Sequence, residues 1–92
     1  MQTVRIGDYC TGHGCYPSRK AETGSSNVFF NNIQVVRVND LWEQHCCGDC
    51  HSGKQEIGSP NFKVNGLNVA RVGDKIDCGS YAKTGSSNVG AN

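Results

Sequence analysis

The phrase TGSSNV occurs at 23–28 and again at 84–89, where only three further residues follow it. The first copy continues as TGSSNVFFNNIQVVRVNDLWEQH (23–45), and a second unit, IGSPNFKVNGLNVARVGDKIDC (57–78), keeps its register. Aligned, Gly24 falls on Gly58, Asn27 on Asn61, Asn31 on Asn65, Arg37 on Arg71 and Asp40 on Asp74. Such a period marks one supersecondary unit that stacks or closes with its neighbours. The third unit is split between TGSSNVGAN (84–92) and MQTVRIGD (1–8), which brings Arg5 and Asp8 onto the same Arg and Asp columns. Only the position held by Asn32 and Gly66 has no equivalent. The chain therefore reads as one domain, 1–92, of units 23–45, 57–78 and 84–92 plus 1–13. Its termini are expected to meet, and its three units to close around a pseudo-threefold axis.

Within each unit the pattern is that of strands. The columns Val28/Phe62/Val89 and Phe30/Val64/Ala91 are apolar and flank the mixed column Phe29/Lys63/Gly90. That alternation puts every second side chain on a buried face. Val4/Val36/Ala70 and Ile6/Val38/Val72 flank the Arg column in the same way. One residue earlier, Thr3/Val35/Val69 are also mostly apolar, so a bulge or corner belongs there. Asn31-Asn32 and Asn65-Gly66 are hairpin turn signals. DLWEQH at 40–45 is the one helix candidate, and it is too short to stand alone. The expected fold is mostly β: a small cone of three hairpin-like repeats, with long loops after each Asp.

Nine basic and eight acidic residues leave a formal charge of +1, which provides no footprint for nucleic acid or an anionic membrane. MQTVRIGD lacks the basic and apolar regions of an export signal, and runs such as VFF are too short to span a bilayer. Synthesis in a reducing cytoplasm without a signal peptide is the expectation. There, six cysteines read as metal ligands or free thiols rather than as a disulfide framework.

The loops carry the chemistry. His13 lies five positions beyond Asp8, His45 five beyond Asp40, and Cys78 four beyond Asp74, while His51 follows on the second loop. If the units close about an axis, these loops emerge at one end and their donors face one another. Three imidazoles and one thiolate suit a single zinc ion, and four protein ligands mark a structural site with no position left for water. An ion that crosslinks three loops turns metal binding into folding free energy, which a 92-residue chain with a limited core needs. Iron can occupy a similar cage. Cys47-x-x-Cys50-His51 also matches the c-type haem attachment pattern, and Cys47/Cys50 with Cys10/Cys15 forms a loose zinc-ribbon set. The simpler expectation for Cys10, Cys15, Cys46, Cys47 and Cys50 is ordinary loop thiols. Arg5/Arg37/Arg71 either pin turns beside Asp8/Asp40/Asp74 or form a docking ring for a threefold partner. Trp42 is expected to pack against a loop, and Asn27/Asn61/Asn88 to bond backbone groups at corners.

GSSNVFFNNIQVVRVND, GSPNFKVNGLNVARVGD and the split GSSNVGAN…TVRIGD together resemble the PAAR-repeat proteins, over nearly the whole chain. The last three residues of the eponymous tetrapeptide stand here as Val-Val-Arg, Val-Ala-Arg and Thr-Val-Arg, and Asn39 replaces the usual Gly. The resemblance implies a cone that caps a trimeric β-helical spike, one monomeric copy per trimer, with zinc held near the apex by three His and one Cys. By position these are His13, His45, His51 and Cys78. It implies a mechanical, non-enzymatic role: sharpening the spike for transient contact with a target-cell membrane during contraction. The location implied is the virion tail tip, with the type VI secretion spike, delivered from the bacterial cytoplasm, as the alternative. From another class, a small zinc-dependent enzyme or redox protein using the Cys-rich loop is the rival, and a free zinc-binding regulatory module is a third.

Overall fold

A computed structural model describes all 92 residues. Its centre is a ring of three backbone hydrogen bonds: Val4 N–H donates to Ala70 C=O (2.9 Å), Ala70 to Val36 (2.9 Å) and Val36 to Val4 (3.0 Å). All three residues are fully buried. The β-bridges Thr3–Arg71, Arg5–Val35 and Arg37–Val69 extend this ring, as do Ile6 N–H to Gln34, Val38 N–H to Asn68 and Val72 N–H to Gln2. The chain thus winds three times about one axis, and each segment pairs with the next. The split unit closes as the repeat requires. The Met1 ammonium donates to Ala91 C=O (3.0 Å), Ala91 N–H returns to Met1 C=O (2.8 Å), and Thr3 N–H reaches Val89 C=O.

On one side of the ring lie the hairpins. β1 (Phe29–Phe30) pairs with β2 (Ile33–Gln34), and β5 (Lys63–Val64) with β6 (Leu67–Asn68). Asn31, Asn32, Asn65 and Gly66 all have positive φ, as a two-residue turn matched to strand twist demands. The third hairpin stays open, with Gln2 bridged to Gly90. Val64 and Ala91 are buried, Phe30 half-buried, and Phe29, Lys63 and Gly90 exposed, as the alternation predicts. Thr3, Val35 and Val69 are buried next to the axial residues because the chain turns a corner there. Val36 belongs to the core beneath the loops, Val35 to a second cluster beneath the hairpins with Val69, Val64, Phe30 and Phe62.

Asn27 and Asn88 connect units through their side chains rather than by bonding backbone at corners, while Asn61 is bonded only through its backbone N–H, to Ser59 Oγ. Asn31 Oδ1 accepts from Ser86 Oγ (2.6 Å) and Arg5 Nη1 (3.1 Å), while its amide donates to Asn88 Oδ1 (2.7 Å). Asn65 repeats the arrangement with Ser25 (2.7 Å), Arg37 (3.0 Å) and Asn27 (3.0 Å). In the third copy Ser59 Oγ bonds the Asn92 carbonyl. Serine approaches this closely because the residue before it, Gly24, Gly58 or Gly85, lies on a carbonyl. A Cβ at these positions would sit 2.6, 2.8 and 2.5 Å from the oxygens of Val35, Val69 and Thr3.

Each Arg is committed to its turn. Arg37 forks onto Asp40 through Nε (2.9 Å) and Nη2 (3.1 Å), and its N–H bonds the same carboxylate (2.7 Å). Arg5–Asp8 and Arg71–Asp74 match it. The Asp74 carboxylate raises the Arg71 pKa above its ordinary value. The bidentate geometry makes the Arg column turn chemistry rather than a free docking ring.

The core beneath the loops is layered. Cys10, Trp42 and Ile76 occupy equivalent places two residues after each Asp and bridge Ala82, Ala21 and Gln55 respectively. Residues 40–45 form no helix; they run extended into a short strand, β3 (His45–Cys47). Trp42 is consequently part of the core, 2% exposed, and its Nε1–H donates to Gln55 Oε1 (3.0 Å). Gln55, fully buried where the other units have Ala, supplies the acceptor that a buried indole needs. Gln55→Leu leaves that N–H unpaired and is expected to cost about 1–3 kcal/mol. Pairing it with Trp42→Phe should recover most of the loss, and denaturant midpoints of the three proteins check this.

Candidate metal centre

Three loops leave the ring opposite the hairpins: Asp8–Ala21, Asp40–Gln55 and Asp74–Ala82. They are laced by Glu43 N–H to Lys20 C=O, Asp77 N–H to Lys54 C=O and Thr11 N–H to Tyr81 C=O, so they rise together. In the first, reciprocal bonds between His13 and Tyr16 (3.1 and 2.8 Å) make a tight turn with Gly14 and Cys15 at its tip. The second is long enough to form a hairpin of its own, β3 (His45–Cys47) and β4 (Asp49–His51), turning at Gly48. Its register places His51 opposite His45, so both imidazoles lie on one face. In the short third loop, Ile76 N–H bonds Ser80 C=O around Cys78.

The structure brings all four predicted residues together: the donor atoms of His13, His45, His51 and Cys78 lie within 4.8 Å of one another, a group that can hold a metal ion. The Nε2 atoms are separated by 3.2 Å (His13–His45), 3.1 Å (His13–His51) and 2.7 Å (His45–His51). Tetrahedral ligands at 2.0–2.1 Å stand about 3.3 Å apart. His45 Nδ1 lies 2.9 Å from the Pro17 carbonyl, which can only accept, so the proton sits on Nδ1 and Nε2 presents a lone pair. Three mutually adjacent ring nitrogens cannot all pair by hydrogen bonds, since each offers one proton or one lone pair. A cation satisfies all three at once. The donor set fits zinc.

Three neighbours shape this cluster without having been legible as part of it. Tyr16 stacks on His13 (centroids 4.7 Å) and packs against His51 (4.4 Å) and His45 (4.9 Å), roofing the imidazoles. Pro17 orients His45 through its carbonyl. Gly53 lies against the thiol: a Cβ there would meet Cys78 Sγ at 2.9 Å and Ile76 Cγ2 at 2.6 Å. The one hint in sequence is that Tyr16 and Pro17 directly follow a His-containing glycine turn.

The cysteine reading holds for Cys10 and Cys78 and fails for the other four. Cys10 is buried in the core and Cys78 half-buried, both unpaired. Cys15 is instead bonded to Cys47, and Cys46 to Cys50. The β3–β4 register sets Cys46 against Cys50, and the His13 turn brings Cys15 to a Cα separation of 5.8 Å from Cys47, within disulfide range. Cys47 and Cys50 face opposite sides with different partners, so neither a zinc ribbon nor a haem attachment pair forms.

Burial, reinforced by the charges of His45 and His51, holds the His13 pKa below its ordinary 6.5. Burial likewise pushes the Cys78 thiol above 9.0. In chelator-treated protein, the neutral His13 contribution to stability is full above pH 6.5 and is lost as pH falls through the lower folded value. Cys78 acts in the opposite direction, contributing below pH 9.0 and losing that contribution as pH rises through its raised value. Denaturant midpoints should therefore fall on acidification below 6.5, and less so in His13→Ala.

Comparison with known proteins agrees with this geometry. The PAAR motif family model matches residues 11–82, and no curated protein matches the chain. The chain belongs to the PAAR-motif family, structural spike-tip proteins of contractile injection and type VI-like secretion systems.

Proposed function

We propose that the 92-residue chain is a single PAAR domain of three units that caps a trimeric β-helical spike, one copy per trimer, and that one structural zinc ion staples its apex. His13, His45 and His51 would hold the ion through Nε2 and Cys78 through its thiolate. The ion would supply no reaction: with four protein ligands it crosslinks the tips of three loops, beyond the core that their bases share. The observation that carries the reading is the convergence of three ring nitrogens and one sulfur at the loop end of a threefold ring.

The opposite end supports the docking half of the reading. Phe29 and Ile33 are exposed there beside the half-buried Val28, Phe30 and Phe62, on hairpins that recur around the axis. Equivalent hairpins can present related surfaces to each chain of a trimer, and their edges can add to its strands. In the machine, the tip would concentrate force on a target membrane during contraction. The phage tail baseplate is the setting we assign, with the type VI spike as the alternative; gene neighbourhood separates them.

Purified protein should carry one equivalent of zinc. His13→Ala and Cys78→Ser should lose most of it, and Gly53→Ala, which displaces the Cys78 sulfur, should weaken zinc affinity about 10–100-fold. Metal analysis and chelator competition measure this. A full equivalent retained by both ligand variants would discard the assignment. Pull-down on a purified trimeric spike should recover one copy per trimer, and absence of association would discard the cap.

A further inference from the structure

Four cysteines surround the histidine cluster without belonging to it. On β3 and β4, side chains alternate, so Cys47 shares the face of His45 and His51 while Cys46 and Cys50 lie on the reverse. Cys15 stands two residues after His13 at the tip of its turn. The Cys15–Cys47 bond therefore ties the loop that bears one imidazole to the hairpin that bears the other two, two residues from His13 and two from His45. It runs beside the ion's own crosslink and joins the same two segments. Cys46–Cys50 clamps β3 to β4 directly behind His45 and His51, with the two Cα atoms 4.1 Å apart.

We propose that Cys15, Cys47, Cys46 and Cys50 form a redox lock on the metal cage: oxidised, they trap the ion; reduced, they let it exchange. The inference rests on the metal reading above. For an ion to leave, the His13 loop and the β3–β4 hairpin must separate so that water or a competing ligand can enter. With Cys15–Cys47 intact that separation is blocked beside the ligands themselves. Once the bond is reduced, only loop lacing and the ion hold the segments together.

The arrangement suits exchange with small thiols. Cys15, Cys46 and Cys50 are exposed, and Cys47 is half-buried. Cys10, by contrast, is buried in the core, and Cys78 is turned to the cage, so the ligand thiol is kept apart from the pairs that exchange. Closure requires a disulfide oxidant such as oxidised glutathione. A cysteine thiolate attacks its sulfur, expelling one glutathione thiolate and forming a mixed disulfide, and the partner cysteine expels the second. Each bond closed takes two electrons and two protons from a cysteine pair and leaves two glutathione thiols. A reducing compartment thus favours loading, and an oxidising one favours retention.

The test uses zinc-loaded full-length protein, equilibrated with oxidised glutathione or with a phosphine reductant. Thiol titration after denaturation should count two free thiols in the oxidised protein, Cys10 and Cys78, and all six in the reduced one. Zinc release to excess chromogenic chelator should be at least about ten-fold slower when oxidised. The double variant Cys15→Ser/Cys47→Ser should release at the fast rate under both conditions, and Cys46→Ser/Cys50→Ser should keep most of the difference. Six thiols after oxidation, or release from reduced wild-type protein as slow as from oxidised, overturns the lock. Redox-blind release of bound zinc overturns the lock alone, whereas failure to take up zinc in either state overturns the metal reading and the lock with it.

Discussion

Three backbone hydrogen bonds joining Val4, Val36 and Ala70 in a closed ring are the constraint on which the rest of this structure depends. A ring of this kind leaves no strand edge at the axis, and its inward side chains must be small and apolar. It also imposes an order on everything above and below. Because each segment donates to the next, the hairpins are gathered on one side and the Asp-capped turns on the other. The Arg–Asp forks then fix the direction in which every loop leaves the ring.

Symmetry in the scaffold is what permits asymmetry in the cage. The candidate cluster gathers four donors, and three equivalent loops supply three. The mismatch is resolved by loop length. The second loop is long enough to double back as β3–β4 and return His51 opposite His45, while the short third loop delivers a thiol from Cys78. The core records the same compromise, since Trp42 enlarges one sector and Gln55 replaces alanine to receive its N–H. Local departures from the repeat are thus concentrated on the side of the ring that holds the candidate metal cluster.

Small domains bury little surface, and a narrow apex buries less. Here a core of two clusters sits on either side of the ring, and beyond it the loops are tied by backbone lacing, by two cysteine pairs and by a converging donor set. These ties are of different kinds: lacing bonds depend on register, cysteine pairs on redox state and imidazoles on protonation.

Much of this was legible because a repeat makes one local rule visible three times. The alternation around Phe30, Val64 and Ala91, the positive-φ turns at Asn31-Asn32 and Asn65-Gly66, the meeting of Met1 with Ala91 and the gathering of His13, His45 and Cys78 at one end follow from periodicity and closure. His51 has no counterpart in the repeat and joins them from further along the second loop. The cysteine partners, the place of Trp42 and the roof formed by Tyr16 did not follow. The cysteine pairs and Tyr16 lie in the unrepeated parts of the loops, where no second copy reveals the register; Trp42 holds a repeated position, but its hydrogen-bond partner Gln55 stands where the other units have alanine. Sequence determined the threefold ring, because it depends on spacing within a unit, and it nominated His13, His45, His51 and Cys78 as candidate donors. Only the tertiary structure decided which thiols meet and which side chains enclose the cage, because those depend on how unlike loops pack against one another.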